Sequence, residues 1–438
     1  MASSFFVRGA LAALLAAGAQ AQAADAGNTS AAAPAQAASA NTAADTARPA
    51  VGGPVVQAQE LVRAGKFTEA LAKLDEAEKA VTDPTPYERY VLSRTKAAAA
   101  LGAGQSSVAF DAIEAALATD KVAGEARLSL IESLVQNAYA AKDYARVARW
   151  ASRYAQEGGT KDDVETLRVQ ALYLAGDNAG AAAALLAKVK ADDAANRVTP
   201  ERTLQLLASA QRKLNDSAGS TATMERLATR YPKPAYWGDL LSNVDRKALP
   251  DRLLLDLFRL VRATGNLASA DQHLLLAGLA MEAGFPAETL AVLDEAAAKG
   301  VFAGGEPAQA KALRAKARKQ AGEDAAARQR DEAAAHRAHD GNALVTLGQL
   351  AIAEGQVDHG IAMIEEGLAK GGVRHADEVR LRLGAAQAQA GRAGAAAKTL
   401  APLQGTGGMA TLAHLWTLYA ASARPGTPVA STQGDAAR

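Results

Sequence analysis

One turn signature recurs along most of this chain at nearly constant intervals, and it constrains the fold more than any other sequence feature. At each occurrence a glycine, or a lysine or asparagine in its place, separates two runs of helical character. Successive turn residues are 39, 38, 34, 39, 69, 38, 33 and 36 positions apart, and the interval of 69 spans two periods. They are Gly65, Gly104, Lys142, Gly176, Asn215, Gly284, Gly322, Gly355 and Gly391. A period of this length is typical of helical repeat proteins and predicts about ten units.

The composition of the chain agrees with paired helices. Alanine, which has the highest helix propensity, fills roughly a quarter of the positions, whereas aromatic residues make up only 4%. Scarce aromatic residues exclude an all-β fold. Two amphipathic helices joined by a tight turn pack antiparallel, but their remaining apolar faces are buried only when the next pair stacks on them. Glycine ends the first helix at low cost because it has no Cβ to clash in the left-handed conformation.

The unit spanning residues 342–372 preserves the repeat pattern most completely. Its small residues Gly348 and Gly360 fall where two helices of a hairpin would approach each other closely. The residues that occupy repeat positions in several units are Gly65, Ala70, Ala208, Leu347, Gly348, Gly355, Gly360, Ile364 and Gly391. This pattern resembles the tetratricopeptide repeat, a helix–turn–helix motif of 34 residues. The resemblance covers residues 55–403 and implies an all-α fold, a right-handed α-solenoid of about ten such repeats.

The same resemblance implies where a partner would bind. In tetratricopeptide arrays the partner usually lies in a concave groove lined by the first helices of successive units. Carried onto this sequence, the groove positions are Arg202, Gln205, Ser209, Arg212, Asn342, Val345, Gln349, Ile352, Glu378, Leu381, Ala385 and Ala388. Such a mixed lining is suited to a protein or peptide segment, because Asn, Gln and Arg side chains can hydrogen-bond an extended backbone.

Three segments depart from the regular pattern. The unit at residues 234–265 lacks the turn glycine, and its Pro250 is placed to open the second helix. The unit at residues 308–340 contains Leu313 as its only large aliphatic residue, which leaves open whether this pair of helices is fully packed. Residues 411–421 carry large apolar side chains at helical spacing, and we interpret them as a capping helix over the exposed end of the stack.

The two ends of the chain have a different character. Residues 1–23 combine a basic residue, a short apolar run and small-x-small sites ending at Ala21 and Ala23, the pattern of a cleaved secretory signal peptide. Residues 24–54 and 423–438 are rich in Ala, Pro and Gly and predict a disordered linker and tail. Because the chain has no cysteine that a lipid could modify, we expect a periplasmic or secreted protein without a transmembrane span after cleavage.

Recognisable catalytic motifs are missing from the sequence. It contains no phosphate-binding glycine loop, no His-Glu-x-x-His, no Gly-x-Ser-x-Gly and no thiol. We therefore expect a protein that is not an enzyme and needs no cofactor or metal, although an enzyme with a dispersed, unrecognised site is an open alternative. The net charge is +1, from 48 basic and 47 acidic residues, and it gives no reason to expect a nucleic-acid partner.

Three local clusters could bind a ligand, but each has a simpler interpretation. His336 and His339 could share one helix face, although such pairs are common on solvated helices. The basic residues within 311–319 are followed by acidic residues that can compensate them. The aromatic and proline corner at 231–237 contains residue types that often dominate binding. Its Trp237, however, falls where the next unit needs a large core residue.

Taken together, these features predict an exported scaffold that binds a protein or peptide segment in the bacterial envelope. The main alternative is an accessory assembly subunit of an envelope machine, such as a TonB-type energy transducer or a polysaccharide-export complex. The sequence does not identify the partner or the oligomeric state.

Overall fold

The computed structural model describes residues 46–302, 304–403 and 407–422, which are helical throughout and contain no strand. The segments predicted to be a signal peptide (1–23) and a tail (423–438), with the linker up to residue 45, lie outside the described residues. The helices are α1 (Pro49–Arg63), α2 (Phe67–Ala80), α3 (Pro86–Gly102), α4 (Ser106–Leu117), α5 (Gly124–Ala140), α6 (Tyr144–Gln156), α7 (Asp162–Leu174), α8 (Asn178–Ala194), α9 (Glu201–Lys213), α10 (Ser217–Arg230), α11 (Pro234–Ser242), α12 (Leu254–Ala263), α13 (Ala270–Glu282), α14 (Pro286–Ala298), α15 (Ala308–Arg337), α16 (Asn342–Ala353), α17 (Val357–Lys370), α18 (Ala376–Gln389), α19 (Ala393–Leu400) and α20 (Gly408–Ser422). The predicted all-α fold of stacked helix–turn–helix repeats is confirmed.

Eight of the nine predicted turn residues adopt the left-handed conformation that ends a first helix. Their φ values are positive at Gly65, Gly104, Lys142, Gly176, Asn215, Gly284, Gly355 and Gly391. At the first turn the amide of Lys66 donates to the carbonyl of Leu61 at 2.8 Å, which satisfies one of the free carbonyls at the helix end. Lys142 and Asn215 take this conformation with φ values of 62° and 56°, although their side chains disfavour it.

The first helix begins earlier than the sequence pattern indicated. Helix α1 starts at Pro49, so the linker predicted to extend to residue 54 was too long. Proline suits the first position of a helix because the amide it lacks would be unpaired there. Val51 and Val55 are buried against the rest of the unit, and their packing fixes the start of α1.

The chain divides into two compact units, one ending at Arg197 and the other beginning at Val198. The described part of the N-terminal unit contains α1 to α8, arranged as four consecutive hairpins. One continuous apolar core runs through it, from Val51 in α1 to Ala171 in α7. Alanines such as Ala70 and Ala109 are fully buried, which lets neighbouring helices approach closely.

The C-terminal unit contains α9 to α20 and is less regular. Four helix pairs pack as hairpins, namely α9 with α10, α13 with α14, α16 with α17 and α18 with α19. Between α11 and α12 the chain makes two 3-10 turns, at Arg246–Ala248 and Asp251–Leu253. Helix α11 packs on α10, whereas α12 packs on α13. Pro250 therefore opens the short turn before α12 rather than α12 itself.

Residues 308–337 form one helix of 30 residues, so the prediction of a helical pair with a turn at Gly322 was wrong. Glycine in a helix interior costs only about 1 kcal/mol relative to alanine. The segments on both sides of Gly322 are rich in Ala, Arg, Lys and Gln, which are strong helix formers. Those residues continue the helix through the glycine, since the segment has no large apolar side chains that a turn would bury.

Helix α20 returns to the beginning of the C-terminal unit. It packs on α18 and α19, as expected of a capping helix, and also on α10 and α12. The side chain of Trp416 is fully buried, and Nε2 of His414 lies 2.9 Å from Oε1 of Glu225. The C-terminal unit therefore closes on itself through α20. None of the helices in the described ranges has the length and apolar character needed to cross a bilayer.

Candidate functional site

The first candidate site is an exposed side of α9 that carries four of the predicted groove positions. Arg202, Gln205 and Arg212 are exposed, and Ser209 is half-buried. Their spacing of three and four residues places them along one side of the helix. We call these four residues, together with Glu201 at the start of the same helix, the α9 face.

The α9 face is joined to the neighbouring first helix, α11, by side-chain hydrogen bonds. Nε2 of Gln205 donates to the hydroxyl of Tyr236 at 2.6 Å, and that hydroxyl donates to Glu201. Nζ of Lys233 donates to the same carboxylate at 2.9 Å. These contacts fix the two helices side by side. They leave the guanidinium of Arg202 exposed without a protein partner in the described chain.

Two titratable groups at the α9 face have pKa values shifted in opposite directions. The hydrogen bond from Lys233, with that from Tyr236, lowers the pKa of Glu201 below its ordinary value of 4.5. Burial, reinforced by the hydrogen bond to Glu201, raises the pKa of the Tyr236 phenol above 10.0. Both shifts move these groups away from neutral pH. The pair is therefore suited to fixed hydrogen bonding and is not poised for proton transfer at neutral pH.

The groove positions of α16 are partly used within the protein. The side-chain amide of Asn342 donates through Nδ2 to the carbonyl of Gly372 and accepts through Oδ1 from the backbone N–H of Arg374, each at 2.9 Å. These two bonds fix the loop before α18. Val345 is only 4% exposed and belongs to the core. Gln349 and Ile352 are half-buried and line a half-open cavity. These side chains do not form an open groove.

The prediction that α18 contributes residues to an open groove was wrong. Leu381 is fully buried and Glu378 is only 7% exposed. Most of the residues that follow them on this helix are also buried. The carboxylate of Glu378 pairs with Arg252, which precedes α12 in the chain. The physical reason is that the C-terminal unit closes on itself, so α18 packs against α20 where an open array would leave a groove.

The predicted repeat positions lie where two helices meet. Ala70, Ala208 and Ile364 are buried, and Leu347 is half-buried. A Cβ at Gly348 would lie 2.7 Å from the carbonyl oxygen of Gly360, so glycine is required for this close approach. The remaining three positions, Gly65, Gly355 and Gly391, are the turn residues described above.

The three aromatic residues of the corner at 231–237 pack within the C-terminal unit, whereas residues 232–235 are exposed. Trp237 is 2% exposed and makes an edge contact with Tyr419 of α20. The hydroxyl of Tyr231 donates to the carbonyl of Thr199 at 2.8 Å. These contacts agree with the interpretation of Trp237 as a core residue and leave its ring unavailable as an exposed anchor.

The other two local clusters are held by ion pairs. Arg314 of the basic cluster pairs with Asp294 and, at 2.8 Å, with Glu306, which are acidic residues on its N-terminal side. His336 lies 3.0 Å from Glu366, a residue of α17. The described residues contain no group of three or more side chains placed to hold a metal ion.

The structure assembles an ion network that the sequence reasoning missed. Nε of Arg382 on α18 donates to both carboxylate oxygens of Asp256 on α12, at 3.1 and 3.3 Å. Arg259 donates to Asp256 at 3.2 Å and to Glu288 at 2.6 Å. Burial opposes the charge on Arg259, but Glu288 and Asp256 outweigh it and raise its pKa. The available signal was two charged residues within the otherwise apolar run 253–261.

A second missed set lies on the first helices of the N-terminal unit. In α9 the groove positions lie at fixed distances before the turn residue Asn215. The same distances, counted back from the turn residues Lys142 and Gly176, reach Gln136, Tyr139 and Gln170, which are all partly exposed. The hydroxyl of Tyr139 donates to Oε1 of Gln170 at 2.7 Å. The turn register would have identified these residues, which form a polar surface between α5 and α7.

Comparison with known proteins yields remote structural similarity. No protein-family model matches the chain, and no curated protein matches it. A solved structure titled "Structure of Naa15/Naa10 bound to HypK-THB" aligns with a TM-score of 0.28 and 16% sequence identity, over 82% of this chain. This chain spans 64% of the length of that one. A similarity at this TM-score says nothing about the function of this chain.

Proposed function

We propose that this protein is a non-catalytic scaffold that binds an extended protein or peptide segment on the α9 face. The observation that carries the proposal is the difference between equivalent positions in the C-terminal unit. On α9 they are exposed and polar, whereas Val345 on α16 and Leu381 on α18 are buried. A helix that keeps this side free while its counterparts are covered has surface available for a partner.

The side chains of the α9 face match the needs of an extended backbone. Such a backbone presents alternating donors and acceptors, and the face offers the guanidiniums of Arg202 and Arg212 as well as the amide of Gln205. Arg212 interacts with Asp239 at 3.5 Å, a long contact that a partner could replace. Because both charge signs are present, the surface does not favour a polyanion such as nucleic acid.

We also propose that the scaffold acts outside the cytoplasm, in the bacterial envelope. The support is the pattern of residues 1–23, with its basic start, short apolar run and two small-x-small sites. N-terminal sequencing of the protein recovered from cell fractions tests this. We expect a chain in the periplasm or medium that begins after Ala21 or Ala23, and an intact N-terminus in the cytoplasm would refute export.

The binding proposal is tested by crosslinking and co-purification from envelope fractions. The variant R202A/R212A removes two exposed charges from the α9 face. The control R230A/K398A removes two exposed charges from second helices of the same unit. We expect the control to retain the partner captured by the wild type and R202A/R212A to lose most of it, with equal helicity by circular dichroism. Equal capture by both variants would contradict the proposal.

A further inference from the structure

A half-open cavity of about 400 Å³ lies in the C-terminal unit, and no residue of the α9 face lines it. Its lining comes from α12, α14, α16, α17, α18 and α20. Its volume is within the range of pockets that bind small molecules. Helix α20 packs on α12 and α18 and contributes Trp416 to the lining.

One wall of the cavity is charged, and all its carboxylate oxygens already accept hydrogen bonds. Asp256 accepts from Arg382 and Arg259, and Glu288 accepts from Arg259 at 2.6 and 2.9 Å. Glu295 accepts from Nε of Arg262 at 2.7 Å and from Lys299 on its other oxygen. An additional cation would have to compete with these arginines. The charged wall therefore does not favour a cationic ligand.

Several donors around the same cavity have no protein acceptor in the described chain. The indole N–H of Trp416 is buried without a hydrogen-bond partner. Arg262 uses only Nε, and Nη1 of Arg382 makes no hydrogen bond, which leaves guanidinium N–H groups free. The half-buried amide of Gln349 is also unpartnered. The indole nitrogen of Trp416 has almost no accessible surface, so the donors that a ligand with acceptor oxygens can reach are those of Arg262, Arg382 and Gln349.

Another part of the cavity wall is apolar. Its accessible aliphatic surface comes from Ile352 and Ala353 of α16 and Ala263 of α12, whereas Ile364 and Leu381 are fully buried. A ligand that satisfies both walls needs anionic oxygens at one end and a hydrocarbon group at the other. A phosphate or another compact dianion would satisfy the donors but would leave this aliphatic surface without contacts.

We infer that this cavity binds a small organic acid, a single carboxylate that carries an aliphatic substituent. Arg262, which is 31% exposed, lies nearest to solvent among the charged pairs of α12 and receives the carboxylate together with Gln349. The aliphatic group packs against Ile352 and Ala353. This site is independent of the α9 face, so it can succeed or fail separately from the proposed peptide binding.

N-acetyl-leucine and its neutral counterpart N-acetyl-leucinamide form a matched pair of probes, because they differ only at the carboxylate. Titration of the full chain by isothermal calorimetry should show saturable binding of the acid and at least about tenfold weaker binding of the amide. The indole N–H resonance of Trp416 should shift with the acid. Absence of saturable binding, or equal affinity for the two probes, would overturn the inference.

Two variants locate the binding site. R262Q keeps the length and polarity of the side chain but removes its charge, and Q349L keeps the size of the side chain but removes its amide. Each should weaken acid binding about tenfold or more, whereas R246Q, on the 3-10 turn before α12, should leave it unchanged. If R262Q folds and binds as tightly as the wild type, the site is wrong.

A pentapeptide ending in leucine with a free carboxylate separates a small acid from a chain terminus. The cavity is bounded by packed helices, so the peptide should bind more weakly than N-acetyl-leucine. Tighter binding of the peptide would overturn the assignment to a small molecule.

Discussion

Alanine at position 348 tests the close approach of α16 and α17 on which the hairpin depends. A Cβ there would lie 2.7 Å from the carbonyl oxygen of Gly360 and 2.8 Å from Cγ1 of Ile364. Alanine in a helix interior is favoured over glycine by about 1 kcal/mol. Inserting a methyl group into a packed contact costs about 1–3 kcal/mol, and here a backbone atom must move. We expect G348A to be destabilised by up to about 2 kcal/mol.

Gly278 supplies the matched control because it lies inside α13, where a Cβ would meet no atom within 4 Å. G278A should therefore be stabilised, by about 0.5–1 kcal/mol. Urea unfolding followed by circular dichroism gives the free energy of each variant. Hydrogen exchange across residues 342–370 shows whether the loss is local, since repeat proteins can open in segments. Stabilisation of G348A to the same extent as G278A would refute the close-packing argument.

Two further predictions concern the turns and the response to acid. Lys142 adopts a positive φ, so K142G should be stabilised by up to about 1 kcal/mol in urea unfolding, and N215G by less because asparagine tolerates this conformation better. A hydrogen bond from Arg48 lowers the pKa of Glu88 from 4.5 to about 2. The pair therefore stabilises the fold above pH 4.5 and loses this effect as the pH falls toward 2. The protection factors of the α1 amides, which correct for the intrinsic exchange rate at each pH, should fall over that range in the wild type and change less in E88Q; an equal fall in both would contradict this.

The turn positions were predictable from the sequence because local chemistry determines them. A residue in the left-handed conformation ends a helix at the point where further helical residues would bury no additional apolar surface. Glycine marks six of the eight turns described here, and the spacing identified Lys142 and Asn215 as well. The same reasoning failed at Gly322, because glycine alone does not break a helix whose flanks are rich in alanine and arginine.

The candidate site was only partly predictable. The repeat register located the exposed residues Arg202 and Arg212, since a position within a helical unit fixes which side of the helix a residue occupies. It also assigned Glu378 and Leu381 to a groove, although both are buried. Their burial depends on contacts between elements more than 100 residues apart, as in the pair Asp256–Arg382. Periodicity within a unit contains no information about such contacts.

The closure of the C-terminal unit separates two roles that one repeat pattern would otherwise share. On α9 the first-helix positions face solvent, while on α16 and α18 the same positions form the core and line the cavity. The network around Arg259 joins α12, α14 and α18 at the centre of this closure. We therefore expect the two proposed binding properties to reside in one unit but to respond to different substitutions.

Site-specific photo-crosslinking tests the proposed scaffold function most directly. A photoreactive amino acid replaces Gln205 on the α9 face in one variant and Ala222, an exposed residue of α10, in the other. The account predicts that position 205 crosslinks to a defined partner segment, that a synthetic peptide of this segment competes, and that position 222 does not crosslink to it. Equal crosslinking at both positions, or none at position 205 in envelope fractions, would contradict it.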